Sequence, residues 1–574
     1  MADSAHTTVF VTARAAVCRA LSFARSLPAA IGWTGVAMAV ILAGAAVLRL
    51  KGLSWGLPYG YQDPDEHVVL LRAFRVAGGH LNPQFFYYPS LIFYLIGGAT
   101  WAASWFHGAH GVPFLSPAAF VTDPTPYYLI GRAVVVACGV TSVYLLYRLG
   151  KEAFSRPVGL LAALFLAVEP LHVRYSHVAV TDVPATMLGL LALLLFLRAA
   201  RLGSARSLLY GALAAGLATG TKYNLGMLFV PGAIACWYVY RDGLDAHGPR
   251  RLWVPAARSL RRVAVPMFLA FLASTPFALL DPLHFLGDFV RQNHIVANGW
   301  LGFENIHNGY WYNLSVNLLG SLGIVLLVLG LVGLVLALAR RTRADYILVP
   351  YVLVYYLYVS SWHALMDRYL LPIVPLLIVL AVRACVALAS VPVVRRRGVV
   401  VVAAALLLLG AIVLPARASI NYSRSLSGID VRTVAKAWIE RHVPVSAVIA
   451  MEPDGPPLVT RLDRPFYSEA RLKTRSYQIY PLPLPLPGVA DATLTVPALI
   501  AAGVDYVVLS SDVDGRVLAA PATYPAQVAF YKALVRRGRV VASFVPSRGE
   551  RGPVVTIYRL PPGVETAAAH HTRA

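Results

Sequence analysis

Long apolar runs separated by short polar segments fill the chain from about residue 31 to residue 415. Many of the runs approach the roughly 20 residues with which an α-helix crosses the hydrocarbon core of a bilayer. The pattern therefore predicts a polytopic α-helical membrane protein of about eleven spans. The predicted spans are 31–50, 128–149, 158–172, 184–198, 207–221, 223–240, 263–280, 314–339, 345–361, 369–390 and 398–415.

A further apolar segment, 90–106, follows the first polar loop. If this segment crossed the membrane, every later span would reverse and the arginine-rich loops would fall outside. We therefore predict a juxtamembrane segment that lies along the outer interface or enters the membrane without crossing. Its aromatic residues suit the headgroup level. The alternative is an ordinary twelfth span.

The pattern changes after Pro415, where turn residues and short amphipathic segments replace the long apolar runs. These segments predict a small C-terminal α/β domain. Its predicted helices are 432–443 and 524–538, its predicted strands are 446–451, 505–511, 539–545 and 554–560, and 480–488 is a proline-rich loop. The predicted division of the chain is a cytoplasmic lead (1–30), a transmembrane core (31–415) with outer loops 51–127 and 281–313, an extracytoplasmic α/β domain (416–562) and a disordered tail (563–574).

Composition and charge fit this division. The chain is 58% hydrophobic and 13% charged, with a mean hydropathy of +0.64, which excludes an ordinary soluble protein. The net charge of +23 is concentrated in short loops between apolar runs, as in cytoplasmic loops, so nucleic acid is not a predicted partner. We predict a multi-pass plasma-membrane protein with a cytoplasmic N-terminus. The four cysteines form no pattern of a disulfide framework or a CxxC metal site.

Asp63, Asp65 and Glu66 form a cluster of carboxylates just after the first predicted span. An amphipathic stretch follows, and Pro64 fits the start of a helix there, where carboxylates are favoured by the helix dipole. The carboxylates could thus simply cap a helix. Their place beside the membrane favours a function instead, because acids at membrane depth are costly unless they are paired or hydrated.

Asp182 is a second acid at the predicted outer end of a span, two residues before Pro184. His177 lies just upstream and is predicted to bind substrate. N-capping of the following helix by Thr181 or Asp182 is the alternative.

Lys222 and Arg368 are cations at predicted outer span ends, against the general charge bias. Each therefore requires an anionic partner, which is either a local acid, such as Asp367 for Arg368, or a phosphate. Arginine offers a fork that matches phosphate oxygens, and lysine offers a point charge.

The outer loop 279–313 combines Arg291 and His294 with aromatic residues such as Trp311. Aromatic side chains with polar tips suit both a sugar-binding surface and the interfacial belt. A divalent metal held by His294, His307 and an acid is an alternative that no spacing supports. We therefore assign no metal ligand and no certain cofactor, and a divalent metal stays possible.

Several nucleotide-hydrolysis and protease motifs are absent from the sequence, which contains no GxxxxGK[ST], HExxH or GxSxG. A group-transfer donor would then need activation other than by nucleotide hydrolysis.

The order of several motifs resembles a known family. "PDEHVVLLRAF…YYPSL", "GRAVVVACGVTSVYLLYRLGKEAF", "LFLAVEPLHVRYSHVAVTDVPA", "GTKY" and "RYLLPIVP" are similar to the bacterial lipid-carrier-dependent glycosyltransferases of the GT-C fold. That group is related to protein O-mannosyltransferases and lipid A aminoarabinose transferases. The resemblance covers about residues 30–400 and supports a non-crossing 90–106 segment.

The resemblance implies a polyprenyl-phosphate sugar donor and a hydroxyl acceptor on a glycan, lipid or protein. Asp65 would be the general base with Glu66 as its neighbour, and Asp182 the second outer acid. Arg368 and Lys222 would contact the donor phosphate. The predicted substrate-binding residues are Asp63, His67, Tyr88, His177, Arg291, His294 and Trp311.

One carboxylate base without a dedicated nucleophile favours a single inverting displacement of a hexosyl or pentosyl group. The chain departs from the aminoarabinose transferases at Tyr88-Pro89-Ser90, where they have Glu-Lys-Pro, and it has no room for the β-trefoil of eukaryotic O-mannosyltransferases. Two other classes remain open at this point. A secondary transporter, or a non-catalytic protein that binds envelope glycan or lipid, could use the same acidic cavity.

Overall fold

The computed structural model describes residues 32–59, 63–106, 113–240, 253–389, 398–460, 475–485, 494–547 and 549–562. The predicted lead (1–30) and the predicted disordered tail (563–574) lie outside the described residues.

The core is a bundle of apolar helices, and each predicted apolar run lies on one or two of them. In chain order the helices are α1 (Gly32–Leu50), α2 (Pro64–Ala77), α3 (Leu91–Ser104), α4 (Pro117–Thr122), α5 (Thr125–Ala153), α6 (Arg156–Val168), α7 (Pro170–Tyr175), α8 (Asp182–Leu202), α9 (Ala205–Thr219), α10 (Phe229–Tyr240), α11 (Trp253–Ser274), α12 (Phe277–Leu280), α13 (Pro282–Asn298), α14 (Gly309–Tyr312), α15 (Leu319–Arg340), α16 (Arg343–Ser360), α17 (Val374–Ala389), α18 (Gly398–Ser425), α19 (Val431–His442), α20 (Val496–Ala501), α21 (Asp514–Ala519) and α22 (Pro525–Arg537).

Four helical segments in the described part of the chain are long and apolar enough to cross a membrane: α1, α5, α8 and the continuous segment Gly309–Arg340. The shorter apolar helices α3, α6 and α17 fall below that length. The class predicted from the sequence, a polytopic helical membrane protein, is consistent with these segments. The count of eleven spans stays a prediction.

Helix α8 is largely buried among the other helices, and its length can be compared with the thickness of a membrane. Its 21 residues give a length of about 31 Å, close to the thickness of a bilayer core. Leucine and alanine dominate its sequence, and most of its apolar stretch is buried in the protein rather than exposed. It ends at Gly203, whose φ of 64° closes the helix in the left-handed conformation. Ser204 then caps α9 by accepting a hydrogen bond from the Ser207 backbone.

The segment 90–106 forms α3, a helix of 14 residues. Its length of about 21 Å is less than a straight span requires. It packs closely against α2, since a Cβ atom at Gly97 would lie 2.8 Å from the Ala73 carbonyl oxygen. A juxtamembrane, non-crossing placement of this segment remains a prediction.

The C-terminal region is built on one six-stranded sheet of order β2-β3-β1-β4-β6-β5. β1 pairs in parallel with β3 and β4, and β6 pairs antiparallel with β4 and β5. The strands are β1 (Val448–Met451), β2 (Val459–Thr460), β3 (Ser476–Pro481), β4 (Tyr506–Ser510), β5 (Arg539–Phe544) and β6 (Val555–Arg559).

All of the helices and strands that we predicted in this region are present, as α19, α22, β1, β4, β5 and β6. The prediction missed β2 and β3. Tyr480 and Pro481, predicted as the start of a loop, form the end of β3, and Leu482 continues it by donating its backbone N–H to the Met451 carbonyl. The predicted boundary at 416 falls inside α18, which continues to Ser425. Ser419 and Ser423 anchor this helix by donating partly buried hydrogen bonds to the carbonyls of Val168 and Leu48.

The sheet region is docked onto the helical core by side chains from both. Tyr524 donates a 2.5 Å hydrogen bond to Glu304, in the loop that follows α13. Arg551 lies 4.8 Å from the ring centroid of Trp55, in the segment that follows α1. These contacts place the sheet region over one end of the bundle, where it helps to enclose the cavity described next.

Candidate active site

A cavity of about 1050 Å³ lies between the end of the bundle where α8 begins and the C-terminal sheet region. Its charged lining from the helical core is Asp65, Asp182, Lys222 and Arg368. The sheet region contributes Pro453, Asp454, Leu484, Asp512 and Arg516. The four charged residues that sequence patterns singled out at scattered positions therefore meet in one cavity.

Asp65 stands at the start of α2 with its carboxylate turned into the cavity. The helix is capped by the neighbouring Asp63, whose Oδ1 accepts a 3.0 Å hydrogen bond from the Glu66 backbone N–H. Asp63 thus performs the capping that the sequence left open, and this leaves the Asp65 side chain available, with 36% of it exposed.

Arg368 and Tyr88 hold the Asp65 carboxylate. Arg368 Nη1 lies 2.6 Å from Asp65 Oδ2, and the Tyr88 hydroxyl also bonds to the carboxylate. Burial acts to raise the pKa of Asp65, but the Arg368 charge and the hydrogen bonds from Arg368 and Tyr88 outweigh it, so the pKa is lowered. Before any ligand arrives, Asp65 is therefore an ionised carboxylate and a weak base. Arg368 does not pair with Asp367 through its side chain, because Asp367 is taken by Arg174 at 3.1 Å.

Asp182 and Lys222 form a second ion pair in the same cavity. Lys222 Nζ lies 2.5 Å from Asp182 Oδ1, and both side chains are largely buried. Neither Thr181 nor Asp182 caps α8 with its side chain, so the capping alternative is wrong for Asp182. Burial lowers the pKa of Lys222, and Asp182 only partly offsets that effect.

Tyr369 connects the two ion pairs. Its ring centroid lies 4.8 Å from Lys222 Nζ and 5.9 Å from Arg368 Cζ, within the range of cation–π attraction. The cavity wall therefore carries two cations, each beside a carboxylate and each near the same aromatic ring.

Glu66 has a different place from the one predicted. Its carboxylate accepts from Arg132 Nε at 2.8 Å and from Arg132 Nη2 at 2.6 Å, and the Ala179 backbone N–H donates to it at 2.8 Å. Both side chains are buried and neither lines the cavity. The geometry favours a role for Glu66 in fixing α2 against α5, rather than a direct role in chemistry.

Asp63, His67 and His177 were predicted to bind substrate, but they lie outside the cavity lining. Burial and the Asp65 and Glu66 charges raise the pKa of the capping residue Asp63 to about 6. His67 Nδ1 is 2.9 Å from the Tyr128 hydroxyl, and His177 faces two backbone carbonyls at 2.8 and 3.1 Å. These contacts are structural, since they fix α2 and the α7–α8 connection.

Arg291, His294 and Trp311 also point away from the cavity. Arg291 and His294 are exposed on α13, whose opposite face contributes Gln292, Asn293 and Val296 to the lining. Trp311 is 66% exposed. The helical period separates these neighbours onto different faces, so proximity in sequence misassigned them. Among the predicted substrate-binding residues, Tyr88 does line the cavity.

Metal binding has no structural support in the described residues, which contain no group of three His, Cys, Asp or Glu side chains placed to hold an ion.

Some cavity residues escaped the sequence analysis. Tyr369 follows Arg368 directly, so the same motif could have indicated it. Asp454 and Asp512 come from loops of the sheet region and Arg516 comes from α21. None of these segments carries a motif, and only the docking of the sheet region onto the helices brings them to the site.

Comparisons with known proteins agree with this architecture. Residues 129–246 match the family model described as dolichyl-phosphate-mannose-protein mannosyltransferase. The chain is similar to the archaeal oligosaccharyltransferase AglB from Archaeoglobus fulgidus, solved in complex with an inhibitory peptide and a dolichol-phosphate. The TM-score is 0.52 at 13% identity, over 89% of this chain and 73% of that chain. No curated protein sequence matches the chain.

Two further solved structures are more distant in shape. ArnT from Cupriavidus metallidurans, bound to undecaprenyl phosphate, gives a TM-score of 0.46 at 17% identity, over 92% of this chain and 98% of that chain. The S. cerevisiae protein O-mannosyltransferase Pmt1–Pmt2 complex, bound to the sugar donor, gives 0.30 at 23% identity, over 46% and 34%. Of these three structures, AglB has a TM-score above 0.5 and shows the fold of this chain.

The fold is therefore that of the GT-C membrane glycosyltransferases. Residues 129–246, less than half of the chain, are also similar to the dolichyl-phosphate-mannose-protein mannosyltransferases. The resemblance predicted from the motifs is confirmed at this level.

Proposed function

We propose that the protein is a membrane glycosyltransferase that moves a hexosyl or pentosyl group from a polyprenyl-phosphate carrier to a hydroxyl acceptor. The observation that carries this proposal is the pairing of Asp65 with Arg368 beside the Asp182–Lys222 pair in one large cavity. The family match over 129–246 and the GT-C fold support the same class.

The donor phosphate binds between Arg368 and Lys222. The Arg368 guanidinium offers paired N–H donors to two phosphate oxygens, and Lys222 adds a point charge. Both cations already have carboxylate partners, so the phosphate competes for them rather than filling an uncompensated site. Their charge also stabilises the phosphate as it leaves.

Asp65 acts as the general base. The acceptor oxygen attacks the anomeric carbon while its proton passes to the Asp65 carboxylate. The bond from that carbon to the phosphate oxygen breaks, and its electron pair stays on the polyprenyl phosphate. When the phosphate draws Arg368 away, the pKa of Asp65 rises and the carboxylate becomes a stronger base, so donor binding prepares the acceptor step.

The displacement is single and inverting in this proposal: Asp65 serves as the base, and Asp182, the other carboxylate that the helical core contributes, is held in its ion pair with Lys222 and does not act as a nucleophile. Asp182 holds Lys222 in position through its 2.5 Å ion pair. Removal of Asp182 would then misplace the phosphate contact.

The apolar wall of the cavity accommodates the first isoprene units of the carrier. Phe271, Phe285 and Phe289 come together from α11 and α13, with the rings of Phe285 and Phe289 stacked 6.0 Å apart. Phe268, on the same wall, is 59% exposed on the outside of α11, where lipid chains would surround it.

The sheet region closes the acceptor side of the cavity with Asp454, Asp512 and Arg516. In this proposal it lies outside the cytoplasm, above a plasma membrane whose cytoplasmic side carries the N-terminus. Acceptors that fit are hydroxyl groups of an envelope glycan, a lipid or a protein.

The test is a transfer assay with purified full-length protein in lipid nanodiscs. Polyprenyl-phosphate hexoses and pentoses are supplied with a mixed pool of envelope glycan and peptide acceptors. The proposal predicts transfer from at least one donor, with release of the free carrier phosphate. Donor binding without transfer would identify a binding protein. In a parallel assay with the protein reconstituted in sealed vesicles, movement of the labelled donor across the membrane without transfer would identify a transporter.

A further inference from the structure

A second cavity, of about 570 Å³, lies where α8 and α15 end and α16 begins. Arg201, in the last turn of α8, lines this cavity, whereas Asp182, in the first turn of the same helix, lines the candidate active site. The two cavities therefore lie at opposite ends of a helix about 31 Å long. The second cavity is at the far membrane surface from the proposed chemistry.

Four arginines from four helices converge on this cavity: Arg201, Arg340, Arg343 and Arg383. Arg383 is buried and already neutralised, since it forms a double contact with the Asp345 carboxylate, with Nη2 at 3.1 Å from Oδ2. Its guanidinium carbon also lies 4.3 Å from the Phe154 ring centroid.

The other three arginines have no carboxylate partner among the described residues. Arg343 donates to the Ala200 carbonyl at 2.9 Å and lies 5.3 Å from the Tyr238 ring centroid, but both are uncharged partners. Arg201 and Arg340 are exposed. The cavity thus has three positive charges that the described part of the chain leaves uncompensated.

Helix dipoles account for part of this pattern only. Arg201 and Arg340 stand in the last turns of α8 and α15, where a cation is favoured. That effect explains one arginine on each helix. It does not explain why the side chains meet around one concave space, since like charges repel and gain from separation.

The other residues that line this second cavity indicate which kind of anion fits it. Apart from the arginines, Ser155 and Thr342, it consists of apolar side chains: Ala153, Phe154, Val158, Ala344, Val386 and Ala387. A guanidinium cluster beside an apolar wall suits a phosphate that carries an apolar body. Because the cavity lies among helix ends at a membrane surface, bilayer lipids have direct access to it.

We infer that this cavity binds the phosphate head group of an anionic phospholipid. The bound phosphate contacts Arg201, Arg340 and Arg343 and ties the ends of α8 and α15 to the start of α16. The glycerol and first acyl carbons lie on Phe154 and Val386. This site does not depend on the sugar chemistry of the other cavity.

The test measures lipid binding to the purified, delipidated full-length protein by native mass spectrometry. Phosphatidylglycerol, phosphatidylcholine with the same acyl chains, and inorganic phosphate are titrated separately. The test variant is Arg201→Gln/Arg340→Gln. The matched control is Arg206→Gln/Arg341→Gln, which removes the same charge from two exposed arginines that do not line the cavity.

The wild type is expected to bind phosphatidylglycerol about 10-fold more tightly than phosphatidylcholine. Loss of two phosphate contacts should weaken phosphatidylglycerol binding about 10- to 30-fold in the test variant. The control should stay within about 2-fold of the wild type. Equal losses in both variants, or no preference between the lipids, would overturn the inference. Displacement of phosphatidylglycerol by millimolar inorganic phosphate would also overturn it, in favour of a soluble anion.

Discussion

The carboxylate of Asp65 lies 2.6 Å from the guanidinium of Arg368, although the two residues come from opposite halves of the chain. Arg368 therefore holds the carboxylate ionised and competes with any proton for it. The same guanidinium is the group that we propose as a donor to the carrier phosphate. One contact thus couples the anion site to the proposed base.

Replacing Arg368 with glutamine should change the pH dependence as well as the rate. Arg368 lowers the pKa of Asp65, so its removal raises that pKa. A general base must be deprotonated, and the acid limb of the kcat/KM profile should therefore shift to higher pH in Arg368→Gln. The overall kcat/KM should fall about 100-fold or more with the loss of the phosphate contact. An acid limb that stays in place would mean that Asp65 is not the titrating base.

In the Asp182–Lys222 pair, a second substitution should restore the stability that the first one removes, but it should not restore the binding of polyprenyl phosphate. Lys222→Met leaves the buried Asp182 carboxylate unpaired and should lower the thermal stability markedly. Lys222→Met/Asp182→Asn removes both charges and should recover most of that stability. Binding of polyprenyl phosphate, measured by isothermal titration, should remain weak in both variants. Recovery of lipid binding in the double variant would contradict a phosphate contact by Lys222.

Glu66 should matter for stability more than for chemistry. Glu66→Gln leaves the buried Arg132 guanidinium without its charge partner, which costs about 3–5 kcal/mol of unfolding free energy. Glu152→Gln, at a partly exposed pair with Arg198, serves as the control and should cost about 1 kcal/mol or less. Denaturant titration of both variants checks the difference. A stable Glu66→Gln protein that has lost all transfer would instead show a chemical role for Glu66.

The C-terminal sheet should lose stability as the pH rises. Burial raises the pKa of Glu452 to about 8, and Tyr531 and the Ser510 backbone donate to its carboxylate at 2.5 and 2.8 Å. The folded state therefore binds more protons than the unfolded state between about pH 4.5 and 8, and its stability falls across that range. Hydrogen exchange at β1 and β4, corrected for intrinsic rates, should accelerate with pH in the wild type. Exchange in Glu452→Gln should not, and equal pH dependence in both would contradict this assignment.

Sequence patterns predicted the helical core well, because apolar runs of membrane length have a strong and local signal. The strands around Val448 and Val507 were also predicted, because each is a short apolar run that ends at turn residues. β3 was missed because Pro481 suggested a loop. Pro481 belongs to a strand because β3 pairs with β1, and β1 lies about 30 residues earlier in the sequence.

The site could be predicted where a charged residue stands at the end of an apolar span. Asp65, Asp182, Lys222 and Arg368 each stood out as a costly charge at a span end, and the fold brings all four together. Residues chosen for their chemical type alone, such as His294 and Trp311, do not line the cavity. His294 shares α13 with residues that do line the cavity, so only the packing of that helix in the folded protein decides which of its side chains face the site.

The most direct test of the central claim compares wild type, Asp65→Asn and Asp123→Asn in one assay. Asp123 is an exposed carboxylate that bonds the Thr125 backbone outside the cavity, so its substitution controls for loss of an acid in this loop. Binding and transfer are measured together, with the polyprenyl-phosphate sugar that the wild type uses. Asp65→Asn should bind this donor within a few-fold of the wild type and lose about 10²–10⁴-fold in kcat, while Asp123→Asn keeps both. Transfer by Asp65→Asn at the wild-type rate would contradict the assignment of Asp65 as the base.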